Sequence, residues 1–162
     1  MRFHLPRFIL PVATAVAALI PITAMASGLT VSIGTPTLTN RTLITLPVTV
    51  SCPAIDPTVA DFIFGEQVNA SVQQPVGQSF ATASGGVGGS QNNLVFSCDG
   101  TSKTVTLSML ANPTGPPFHG GPAIISASVA VQAGFEAFPG CGCGFVTLFE
   151  SATAGPQSVT LH

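Results

Sequence analysis

The sequence lacks several features that would point to an antibody-type domain or a nucleic-acid-binding protein. It contains no tryptophan, and only 6% of its residues are charged. Without tryptophan, the chain cannot have the core indole of antibody-type domains. Beyond residue 26, Arg41 and Lys103 stand alone against six acidic residues, which gives this part a net charge of −4. Because it has no basic stripe, we exclude nucleic acid as a partner.

Catalytic signatures are equally scarce. No GxSxG motif is present, and His162 is the C-terminal residue, so His119 is the one histidine beyond residue 26 that suits a general base. A hydrolase needs a nucleophile, a base and an orienting acid in contact. We therefore predict that the protein is not an enzyme and uses no cofactor.

The sequence also lacks a recognisable metal motif. Cys141 and Cys143 are separated by one residue, whereas zinc sites usually have CxxC spacing. Asp56, Asp61 and Glu66 could gather on one loop, but no EF-hand pattern connects them. We predict no metal site.

The N-terminus has the three parts of a secretory signal peptide in order. Arg2 and Arg7 are followed by an apolar run over residues 8–22 and by Ala-Met-Ala at 24–26. A retained membrane anchor fits less well, because two prolines interrupt a run that is shorter than a spanning helix needs. We therefore predict a signal peptide at 1–26, a single secreted domain at 27–162 that is extracellular or at the cell surface, and no membrane segment after cleavage.

Apolar residues in this domain alternate with period two and nowhere hold a helical period. Residues 94–98 and 104–110 predict two strands joined by a turn at Cys98-Asp99-Gly100, and 43–52 predicts another strand after a turn at 40–42. About seven to nine short strands separated by Gly/Pro turns indicate an all-β fold. We predict an antiparallel immunoglobulin-like β-sandwich.

Two segments predict loops rather than strands. The Gln-, Gly- and Ser-rich segment 73–93 is typical of a mobile loop around one weak strand, and Pro and Gly dominate 112–122. Large aromatic side chains then fill the core, with Phe rather than Trp in that role. The expected core residues are Phe62, Phe64, Phe80, Phe96, Phe135, Phe145 and Phe149.

All four cysteines lie beyond the predicted signal, so export makes disulfides the default. We favour Cys52–Cys98 together with Cys141–Cys143, because each member of the first pair ends a β run and precedes a turn residue. The alternative pairs Cys141 and Cys143 with Cys52 and Cys98. A Cys141–Cys143 bond would need a tight local turn, and such a strained bond is easily reduced.

The segments Ser97-Cys98-Asp99-Gly100-Thr101 and 117–123 (PFHGGPA) resemble an uncharacterised family of small exported, mainly actinobacterial β domains. Members of that family have an earlier strand-end cysteine, here matched by Cys52, followed by Cys-Asp-Gly and a Phe-x-x-Gly-x-Ala segment. The resemblance implies a Cys52–Cys98 bridge and an extracellular sandwich. It implies no activity.

Together these features favour a non-enzymatic secreted domain that binds an extracellular protein or glycan, or associates with itself. The loops 73–93 and 112–122, or an exposed sheet edge, would contact the partner. One alternative is a thiol-active protein that uses Cys141 and Cys143. Another is a carrier of an apolar small ligand held in a Phe-lined cleft.

Overall fold

The computed structural model describes residues 28–54, 62–136 and 145–162, and the predicted signal peptide lies outside these ranges. This part of the chain forms eight strands. They are β1 (Thr30–Ile33), β2 (Thr37–Thr39), β3 (Leu43–Ser51), β4 (Phe62–Val76), β5 (Ser79–Ser90), β6 (Ser102–Ala111), β7 (Gly121–Glu136) and β8 (Phe145–Leu161).

The eight strands form one antiparallel sheet with the order β1-β3-β6-β5-β4-β7-β8, and β2 also pairs with β3. The sheet curls until its edges approach each other, and the Leu38 N–H of β2 donates to the His162 carbonyl at 2.8 Å. This arrangement confirms the all-β, antiparallel prediction. The strands make a single nearly closed, barrel-like sheet, so the immunoglobulin-like sandwich is not confirmed.

The interior is lined by small and branched apolar side chains. Ile44, Leu46, Val48 and Val50 alternate inward along β3 and are fully or almost fully buried. Aromatic residues contribute less than the sequence predicts. Phe96 and Phe118 are buried, Phe64 is half-buried, and Phe80 and Phe149 are exposed. The side chains of Phe62, Phe135 and Phe145 are not among those that the structure describes.

Pro47 lies in the middle of β3, which has partners on both sides. Proline usually avoids such positions because it cannot donate to the ladder. The Pro47 carbonyl accepts the Gly34 N–H at 2.8 Å. Because the nitrogen and the carbonyl of one residue face the same neighbour in an antiparallel ladder, the Pro47 nitrogen also faces the residues between β1 and β2. The break between those two short strands therefore lies opposite the missing donor, and the proline leaves the pairing with β6 intact.

The predicted strand at 94–98 is wrong. Residues 91–101, here called the cap segment, form no strand and lead from β5 to β6. The Cys52–Cys98 disulfide is confirmed, with Cα atoms 4.7 Å apart. Gly100 N–H also donates to the Cys52 carbonyl at 3.2 Å, which fixes the cap segment to the end of β3.

The predicted mobile loop over 73–93 is also largely wrong. Most of it forms a hairpin in which β4 and β5 pair from Gly65↔Ser90 to Val76↔Ser79, with the GGVGG run inside β5. The glycines allow close packing: a Cβ at Gly85 would lie 2.9 Å from the Ser108 carbonyl, and a Cβ at Gly89 would overlap the Asn93 carbonyl. The prediction of a loop after β6 holds for residues 112–120.

Candidate binding face

The outward side of β5, β4, β7 and β8 forms one continuous surface, here called the four-strand face. Its positions are fixed by the register of these strands. None of the sixteen paired outward residues across its middle can ionise. They are Gln67, Asn69, Ser71, Gln73, Thr82, Ser84, Gly86, Gly88, Ile124, Ser126, Ser128, Ala130, Gln132, Phe149, Ser151 and Thr153.

The polar character of this face follows from strand alternation. Along β4, Val68 and Val72 point into the core, whereas Asn69 and Ser71 point outward. Outward residues on neighbouring strands lie about 4.8 Å apart, and successive outward residues on one strand about 6.7 Å apart. A ring-sized ligand on the face would therefore contact hydroxyl and amide groups from two strands at once.

Three open grooves cross the four-strand face. The end groove, about 250 Å³, lies between Gln67, Gln132 and Phe149. The middle groove, about 540 Å³, is lined by Asn69, Ser71, Ser84, Ser126, Ser128 and Thr153, among others. The side groove, about 460 Å³, runs from Ser71 toward Leu110 and Pro113. Hydroxyl and amide groups therefore line concave as well as flat parts of the face.

Glu66 holds the cap segment from inside the sheet. Its Oε1 atom accepts the N–H groups of Val95 and Phe96, the latter at 2.9 Å, while its buried Oε2 atom has no hydrogen-bond partner. Burial raises the pKa of this carboxyl, and the Phe96 N–H partly opposes the rise. Glu66 therefore supports the structure of the cap segment through a carboxylate that is poorly solvated.

Asp99 organises the exposed side of the same segment. It accepts hydrogen bonds from Thr101 N (2.9 Å), Thr101 Oγ1 and Ser97 Oγ, and it forms an ion pair with Lys103 at 3.0 Å. The Thr101 hydroxyl and the Lys103 ammonium lower the pKa of Asp99 well below its ordinary value. The predicted Cys-Asp-Gly turn is thus an Asp-centred turn that follows the disulfide.

At the opposite end of the sheet, the 112–120 loop is fixed by neutral groups. The fully buried Gln74 accepts the His119 N–H through Oε1 at 2.9 Å and donates through Nε2 to the His119 carbonyl at 2.9 Å. Phe118 is fully buried, and its N–H donates to the Arg41 carbonyl. In return, Arg41 Nε donates to the Phe118 carbonyl at 3.3 Å. The predicted partner-facing loop is therefore anchored at its C-terminal half.

Two buried polar residues, Glu66 and Gln74, have structural roles that the sequence predictions above do not include. Both have the inward parity of Val68 and Val72 on β4. A polar residue in phase with buried valines signals a side chain that bonds to the backbone of another segment. That signal was available from residues 66–74 once the strand was recognised.

The remaining predicted candidates are separate from this face. His119 is exposed, and its Nδ1 atom lies 2.8 Å from the neighbouring Gly120 carbonyl. Cys141, Cys143, Asp56 and Asp61 lie outside the described residues. In the part of the chain that is described, no three His, Cys, Asp or Glu side chains are grouped to hold a metal ion. The same ranges contain no helix long and apolar enough to cross a membrane.

Comparisons with known proteins add no relative: no family model, no curated protein and no solved structure matches the chain.

Proposed function

We propose that the protein is a secreted, non-enzymatic binding module that attaches to neutral glycans through the four-strand face. The observation that carries the proposal is that the sixteen paired outward residues across the middle of this face include no ionisable group, while their hydroxyl and amide groups line open grooves. Neutral glycans present hydroxyl groups and no charge. Side-chain amides and hydroxyls can both donate to and accept from them.

Two features support export. The first 26 residues have the order of a secretory signal peptide. The Cys52–Cys98 disulfide is consistent with an oxidising extracellular environment. The immunoglobulin-like fold of the domain stays a prediction. The features of the structure that support it are the eight antiparallel strands and the one core that they enclose.

The proposal is tested on the full chain expressed with its leader and purified from the culture medium. Mass analysis should show a mature N-terminus at Ser27. The exported protein should be retained by one or more insoluble neutral polysaccharides, such as β-glucan, mannan or chitin, and less by anionic pectin. Ser71→Glu should reduce retention about tenfold or more, because Ser71 lines two of the grooves and a carboxylate there would be desolvated by the ligand.

The matched control is Thr106→Glu, an exposed outward position on β6 that lies outside the four-strand face. This variant should bind like the parent protein. Failure of the parent protein to bind any neutral polysaccharide would overturn the proposal. Equal losses in both variants would also overturn it, because the binding would then not depend on the four-strand face.

Self-association is a second candidate, favoured by the exposed apolar side chains Phe80, Leu110 and Ile124 near one end of the face. Few surface charges oppose contact between copies. Sedimentation of the exported protein distinguishes the two candidates. A dimer that is lost in Leu110→Ser would support self-association, whereas a monomer at all concentrations would exclude it.

The thiol-active and carrier alternatives have less support. Cys141 and Cys143 lie outside the described residues, so the thiol hypothesis stays a prediction. Among the phenylalanines whose side chains are described, two are buried, one is half-buried, and Phe80 and Phe149 point outward. That distribution favours packing and surface contacts over a single Phe-lined cleft.

A further inference from the structure

One corner of the four-strand face combines an aromatic ring, two amides and a concavity. Phe149 is 71% exposed, and it borders the end groove together with Gln67 and Gln132. Gln132 is its direct cross-strand partner, and Gln67 lies on β4, the strand on the other side of β7. The ring and both amides therefore surround the same small groove.

Half of the residues that line the end groove have little or no side chain. These are Gly65, Gly88, Gly89 and Ala130. Glu66 also borders the groove, but its Oε1 atom is occupied by the N–H groups of the cap segment. A ligand can thus approach the backbone closely, and the exposed polar side chains that it meets are neutral amides.

This combination matches the two surfaces of a pyranose ring. One face of a pyranose presents C–H groups, which pack against the flat, electron-rich face of an aromatic ring. The rim carries hydroxyl groups, and each glutamine amide offers them both a donor and an acceptor. We propose that Phe149, Gln67 and Gln132 form a subsite for one uncharged pyranose unit, stacked on Phe149. This inference rests on the proposed function and names the site at which one sugar unit of the glycan chain is bound.

Phe80 provides a matched control within the same surface. It is also an exposed phenylalanine, and its cross-strand partner on β4 is Pro75 rather than a polar residue. The two rings are therefore similar in exposure but differ in the chemistry beside them. Only Phe149 is expected to contribute to sugar binding.

The experiment uses the exported full-length protein and soluble hexasaccharides of the neutral polysaccharide that retains it. Phe149→Ala should weaken the Kd by about tenfold or more, the loss typical of a central aromatic contact. Gln132→Ala should weaken it less, and Phe149→Tyr should bind within about threefold of the parent, since it keeps the ring. Phe80→Ala should bind like the parent.

Fluorescence gives a second readout, because the sequence contains no tryptophan or tyrosine. Phe149→Trp would introduce the sole indole, and its emission should shift to shorter wavelength when the hexasaccharide covers it. Phe80→Trp should show no shift. Equal unfolding midpoints for Phe149→Ala and Phe80→Ala would establish that lost binding does not reflect lost folding.

The outcomes separate this inference from the proposed function. Suppose that the parent protein binds the hexasaccharide, that Ser71→Glu abolishes this binding, and that Phe149→Ala leaves it unchanged. The subsite is then overturned, while the proposed function stands. If the parent binds no neutral glycan, the proposed function fails and the subsite fails with it. A blue shift in Phe80→Trp instead of Phe149→Trp would place the sugar at the other end of the face.

Discussion

The two ends of the sheet are fixed by different chemistry. At one end, a disulfide and the buried carboxylate of Glu66 hold the cap segment. At the other end, the neutral amide of Gln74 and the buried ring of Phe118 hold the 112–120 loop. Both Glu66 and Gln74 are on β4, eight residues apart and with the same inward parity, so one strand anchors both ends.

The comparison shows how an amide and a carboxylate differ in the same structural role. Gln74 presents an acceptor to one backbone N–H and a donor to a backbone carbonyl, so both ends of its side chain are satisfied. Glu66 offers two acceptor oxygens, and the buried Oε2 atom has no partner. We therefore expect the stability of the cap segment to depend on pH and redox state, and that of the loop to depend on neither.

The largest effect should come from removing the disulfide. Replacing Cys52 and Cys98 together by serine removes a cross-link spanning 46 residues, which corresponds to about 4 kcal/mol in the loop-entropy description. Urea denaturation should show this loss in the free energy of unfolding. Relative to the parent protein, hydrogen exchange should accelerate more at the Val95 and Phe96 amides than at the His119 amide.

Equal acceleration of exchange at both ends would contradict independent anchoring. A mild reductant applied to the parent protein provides the control. It should reproduce the pattern of the double serine variant without any substitution.

An intermediate effect is expected from Gln74→Ala. The substitution leaves the partly buried His119 N–H and carbonyl without their side-chain partner, and we expect a loss toward the lower end of the about 1–3 kcal/mol that an unsatisfied buried group costs. The free energy of unfolding and exchange at the His119 amide should report the change. Exchange at the Phe96 amide should stay as in the parent, and a change there of the same size would show that the ends are coupled.

Gln74→Glu is a more specific variant at the same position. It keeps an acceptor for the His119 N–H but places a second oxygen opposite the His119 carbonyl. This variant should therefore acquire a pH dependence that the parent loop lacks.

The smallest effect concerns pH at the cap segment. The folded pKa of Glu66 is raised above 4.5, so the folded state binds this proton more tightly than the unfolded chain does. Its contribution to stability is complete below about pH 4.5, the unfolded value, and is lost as pH rises through the raised folded value. Glu66→Gln should remove this decline, as measured by unfolding midpoints between pH 4 and pH 8.

Asp99 provides a control of opposite sign. Its folded pKa is lowered from 3.8, so its contribution is present above that pH and is lost as the solution is acidified further. Asp99→Asn should therefore alter the profile only on the acid side. A Glu66→Gln profile that still declines toward neutral pH would show that another group is responsible.

Local patterns predicted part of this fold from the sequence. The strand at 43–52, the turn at 40–42 and the Cys52–Cys98 bridge all appear in the structure, with Asn40 and Arg41 at positive φ in the turn. Each depends on residues whose alternation or turn preference is visible within about ten positions.

Long-range contacts account for what was missed. Residues 94–98 alternate like a strand, but the Val95 and Phe96 N–H groups bond to Glu66, about 30 residues earlier. The GGVGG run has the composition of a mobile loop, yet its glycines allow close contact with β6 and the cap segment. The four-strand face depends on the register of four strands, which no single segment specifies.

The interruption opposite Pro47 also bears on how the protein can meet other molecules. β1 and β2 span four and three residues, so the main-chain groups along this margin are too few to template a long intermolecular ladder. Fibril-like growth by strand addition is therefore disfavoured along this margin. Along this margin, recognition is left to side chains, which can distinguish one sugar or surface from another, whereas main-chain pairing would accept almost any extended peptide.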